Sequence, residues 1–72
     1  MATEQDTGMH DEHYDIVSTL YHALQGADTC KKYIADAEKD GDQEAADFFH
    51  EVQDQNRRMA EKAKHLLVKR VH

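Results

Sequence analysis

The chain has no proline and no tryptophan, only three glycines and a single cysteine. Without proline, no position is barred from a helix by a missing N–H or a ring clash. The lone Cys30 excludes an internal disulfide and fits a reducing compartment, because small secreted domains are usually cross-linked. No apolar run approaches the roughly 20 residues needed to span a bilayer. The polar, acidic start from Met1 to Gly8 lacks the basic and apolar regions of a secretory signal. A cytoplasmic chain is the expectation, with residues 1–9 as a disordered leader.

Chemical motifs are missing too. There is no CxxC, no glycine-rich phosphate loop, no Ser/His/Asp set and no pair of catalytic carboxylates, so neither an enzyme nor a cofactor is expected. The formal net charge of −6 opposes attraction to nucleic acid or anionic lipid, and neither is expected as a partner. Charge is nevertheless segregated. Residues 57–72 carry Arg57, Arg58, Lys62, Lys64, Lys69 and Arg70 against Glu61 alone, while nearly all acids lie upstream.

What is abundant favours helix: Ala, Glu, Lys, Gln and Asp, with few β-branched residues. Ile16, Leu20, Ala23, Ala27, Cys30, Ile34 and Ala37 recur at alternating spacings of four and three, one continuous helical stripe. Val17 and Leu24 widen it. At Lys39-Asp40-Gly41-Asp42 the pattern breaks: glycine suits the left-handed position after a helix, and aspartate caps the next one. A second stripe, Ala45, Phe49, Val52, Asn56, Met59, Ala63 and Leu66, follows, with Phe48, Ala60 and Leu67 beside it. The expected domain is a helical hairpin over 10–72, with helices near 12–39 and 43–70 and a turn at 40–42. Each helix is then roughly 42 Å long at 1.5 Å per residue.

Folding back at Gly41 pairs Ile16 with Leu66, Leu20 with Ala63, Ala23 with Met59, Ala27 with Asn56, Cys30 with Val52, Ile34 with Phe48 or Phe49, and Ala37 with Ala45. Small residues of the first helix mostly meet larger ones of the second, as an interdigitated core requires. The same register lays Lys64, Lys69 and Arg70 beside Asp11, Glu12 and Asp15, a mutual neutralisation that the helix dipoles also favour.

The stretch from Leu20 to Leu67 resembles the helical-hairpin half of ferritin-like proteins of the rubrerythrin type. It shares the Glu38-Lys39-Asp40-Gly41 turn, the Ala45-Ala46-x-Phe48-Phe49 segment, and the region seven residues later where that family bears ligands. In the family, each hairpin supplies a first-helix glutamate and a second-helix Glu-x-x-His pair to a di-iron centre. The resemblance puts those positions on Ala23, Asn56 and Met59, none of which suits iron. It implies a ferritin-like hairpin whose metal site is replaced by packed side chains.

Among residues with chemistry, Asn56 stands out as an amide in an apolar stripe, a device that fixes register or oligomeric state. It is expected to pair with its symmetry mate, Gln53 or Gln55. His10 and His13 share a helical face and His72 approaches them in the hairpin register, the one arrangement that could hold zinc or nickel. Solvated histidines are the ordinary reading. His22 and His50 flank the stripes, and Cys30 reads as a small buried hydrophobe.

The expectation is therefore an all-α protein: an antiparallel two-helix hairpin that dimerises into a four-helix bundle. So short a chain buries too little to stand alone comfortably. Its partners would be a second copy, as a homodimer, or a larger protein complex. Non-catalytic association is the expected function, as a self-pairing bundle or small accessory subunit. The alternative is a metal-binding or redox protein of ferritin-like type with non-standard or histidine ligands.

Overall fold

The computed structural model describes residues 12–70. Helix α1 spans Glu12–Lys39 and helix α2 spans Gln43–Arg70. They fold back on each other as an antiparallel hairpin with principal extents of 50 × 28 × 13 Å. No strand occurs among the described residues, and no described helix is long and apolar enough to cross a membrane. The expected leader lies outside the described residues, as do His10, Asp11 and His72.

The turn is built by three residues. Gly41 takes φ 72°, and the Asp42 and Gly41 amides donate back to the carbonyls of Ala37 (2.9 Å) and Glu38 (3.0 Å). These two bonds satisfy carbonyls that the end of α1 would otherwise leave unpaired. Asp42 then serves the next helix as well: its Oδ1 accepts the Ala45 amide at 3.0 Å, the expected N-cap bond. One aspartate thus closes α1 with its amide and opens α2 with its carboxylate.

Between the helices lies a seam of small residues. From α1 it buries Ala23, Ala27, Cys30, Ile34 and Ala37; from α2 it buries Ala46, Gln53, Ala60 and Ala63. Six of these nine are alanine, and among the described residues no large side chain is fully buried. An alanine methyl contributes about 0.8 kcal/mol on burial, against about 1.5–3 kcal/mol for Leu, Phe or Met. The intramolecular core is correspondingly thin.

This corrects the stripe read for α2. Met59 and Leu66, expected in the seam, are 50% and 40% exposed, while Val52 and Ala45 are only half-buried. The helix is turned by about half a residue step, so that Phe49, Asn56 and Ala63 keep their place while Ala46, Gln53, Ala60 and Leu67 replace Ala45, Val52, Met59 and Leu66 facing α1. Both stripes of α2 follow the same three-and-four spacing; the smaller one is inside because the alanines and Gly26 of α1 let two backbones approach only where the partner is also small.

At the open end, Arg70 is clasped from two sides. Its guanidinium Nε donates to Glu12 Oε2, and the His13 ring nitrogen Nε2 lies 3.2 Å from the Arg70 carbonyl, a donor satisfying one of the last carbonyls of α2. Lys64, expected to cross to α1, instead pairs with Glu61 on its own helix at 3.5 Å. Such exposed pairs contribute about 0–1 kcal/mol, so the clasp aligns the helix ends more than it stabilises them.

Two substitutions check this arrangement. Gly41→Ala meets no atom within 4 Å, so its expected cost of about 1–2 kcal/mol is backbone strain alone; Gly41→Asn should cost less. Ala60→Leu forces the helices apart and should cost about 1–3 kcal/mol. Urea unfolding measures both. An Ala60→Leu protein as stable as the native one would show that Ala60 does not face α1.

Candidate functional site

Midway along the hairpin the alanine seam is interrupted by two amides. Gln53 is 6% exposed, and its Nε2 donates to the Ala27 carbonyl at 3.0 Å. That carbonyl lies inside α1, where its other lone pair serves the helix. The amide thereby ties α2 to the backbone of α1 rather than to a side chain. No buried side-chain nitrogen or oxygen among the described residues is left without a partner.

Asn56 sits one turn further on, against Gly26. A Cβ built on Gly26 would fall 2.9 Å from Asn56 Nδ2 and 3.3 Å from its Cγ. The asparagine amide fills the space that a methyl would take, so a side chain at position 26 would have to displace it. The pairing of Asn56 with Gln53 or Gln55 expected from the sequence is replaced by this side-chain-on-glycine contact. Gln53 entered the sequence reading only as a possible partner of Asn56, not as a residue of the stripe. Its signal was the spacing Ala46, Gln53, Ala60, seven residues apart on one helical face.

The positions that the ferritin-like resemblance assigns to metal do not form a donor set. Ala23 is buried, Asn56 is half-buried against Gly26, and Met59 points out of the seam. Among the described residues no three His, Cys, Asp or Glu side chains are placed to hold a metal ion. Of the histidines considered as ligands, His13 faces the Arg70 carbonyl, while His10 and His72 lie outside the described residues. Cys30 is a free thiol, 3% exposed within the seam.

Apolar surface is the other conspicuous feature. On one broad face, Tyr33, Phe49 and Phe48 form an aromatic chain near the turn, both centroid separations being 5.3 Å. Phe48 is 57% exposed, and Met59 and Leu66 extend the apolar stripe along α2. Beside it, Ile16, Met59, Ala63 and Leu66 contribute to a shallow, mostly apolar hollow of about 300 Å³ that bridges the two helices. On the opposite face, Tyr14, Val17, Tyr21 and Leu24 project from α1. An arrangement of this kind can bury other apolar surface.

Comparison with models of protein families, with curated proteins and with solved structures finds no match to this chain.

The Gly26–Asn56 contact is open to a double-mutant cycle. Replacing a helical glycine by alanine is worth about 1 kcal/mol of helix propensity. In the native background, displacement of the Asn56 amide should offset that gain. With Asn56→Ala it should appear in full, giving a coupling of at least about 0.5 kcal/mol. Additive changes in thermal unfolding would mean that the two residues do not touch.

Proposed function

We propose that this chain is a non-catalytic helical association protein, either a self-pairing bundle or a small accessory subunit of a larger complex, built on a ferritin-like type of hairpin without the di-iron ligands. One contrast supports the reading. The residues that the hairpin buries within itself are mainly alanines, whereas Tyr14, Tyr21, Leu24, Phe48, Met59 and Leu66 are all at least 40% exposed. Their burial would contribute more per residue than the seam does, and exposed apolar area on this scale marks interaction surface.

Size points the same way. A domain of this length usually gains its margin from disulfides, metal or association, and the chain carries one cysteine, which is buried. The lone thiol supports a reducing, cytoplasmic setting.

Sedimentation and light scattering of the purified chain over a concentration series test the proposal. The expected result is either an oligomer at micromolar concentration or a weakly folded chain that gains helicity when its partner is added. A compact, stable monomer at micromolar concentration would refute it.

A further inference from the structure

The exposed flank of α2 carries more than apolar side chains. Positions 45, 48, 52, 55, 59, 62, 66 and 69 recur at spacings of three and four, the pattern of a helix that seats against another helix. The charges on and beside this stripe are polarised. Glu44 and Glu51 lie in the first half of α2, and Arg58, Lys62 and Lys69 in the second, all exposed. None of these five has an ion-pair partner among the described residues. Lys31, Lys32, Arg57, Lys64 and Arg70, by contrast, are each paired with a carboxylate.

We propose that a second copy of this chain covers this flank, the two α2 helices packing antiparallel about a two-fold axis level with Arg57. The inference rests on the association reading and names its partner. In this alignment Phe48 meets Leu66 of the copy, Met59 meets Gln55, and the aliphatic stem of Lys62 covers Val52. Just outside the apolar contacts, Glu51 meets Lys62 of the copy and Glu44 meets Lys69, while Arg58 stands near its own mate at the axis; the two-fold repeats each opposite-charge pair. A parallel copy would set Glu44 against Glu44 and Lys62 against Lys62, like charges in register. Packing against α1 of the copy would bring Glu44 and Glu51 toward Asp36 and Asp40 at the turn end. Only the antiparallel α2 pair lays the acidic half along the basic half.

The test uses charge reversal on the full chain, read by sedimentation equilibrium with circular dichroism as the folding control. Glu51→Lys and Lys62→Glu should each raise the dimer dissociation constant at least tenfold while leaving helicity intact. Mixed in equal amounts, the two variants should form a dimer as tight as the native one, because each then presents the charge the other lacks. Met59→Asp should give a helical monomer. A native dimer that is indifferent to these changes, or single variants that stay apart when mixed, would overturn the antiparallel α2 pairing while leaving association itself standing. A native chain that is a folded monomer would overturn both, and one that is unfolded alone would show that the occupant is not a second copy.

Discussion

Everything in this hairpin follows from how closely two helices approach when the residues between them are small. Alanine and glycine permit backbone proximity that leucine or methionine would prevent, and close approach brings the Gln53 amide to the Ala27 carbonyl and Asn56 onto Gly26. The same closeness has a cost. A seam of methyl groups removes little apolar area from water, and the larger side chains of both helices are displaced to the outer faces. The hairpin therefore has a well-defined register and a thin core.

Register is set twice. At the turn, Gly41 and Asp42 terminate one helix and begin the next within three residues, leaving little freedom in where α2 starts. At the open end, Glu12 and His13 hold Arg70 by its side chain and its carbonyl. Between them, the Gln53–Ala27 hydrogen bond fixes the middle. A sliding error of one turn would break all three and would leave the Gln53 amide buried without a partner. Polar groups here specify alignment, while the small apolar groups set how closely the two helices approach.

Much of this was legible in the residues. The absence of proline, the three-and-four spacing, and the Asp40-Gly41-Asp42 break identify two helices and an antiparallel return. The stripe of α1 is unambiguous because its outward neighbours are mostly polar at the turn end. On α2, two adjacent stripes, one through Val52, Met59 and Leu66 and one through Gln53, Ala60 and Leu67, have identical periodicity. Hydrophobicity selects the first for burial; the helix buries the second. Periodicity cannot separate stripes one residue apart, since both recur every seven positions. Size complementarity across the pair of helices is what separates them. Asn56 keeps its place facing α1, and the same small rotation brings Gln53 inward beside it and Met59 outward.

By itself, then, the sequence determined the secondary structure, the location and chemistry of the turn, and the antiparallel register, because these depend on local propensity, capping and chain direction. Only the tertiary structure decided which side of α2 faces inward. That choice is made jointly by both helices, through how near the small residues of α1 allow another backbone to come, and it leaves Phe48, Met59 and Leu66 on the surface where a partner can reach them.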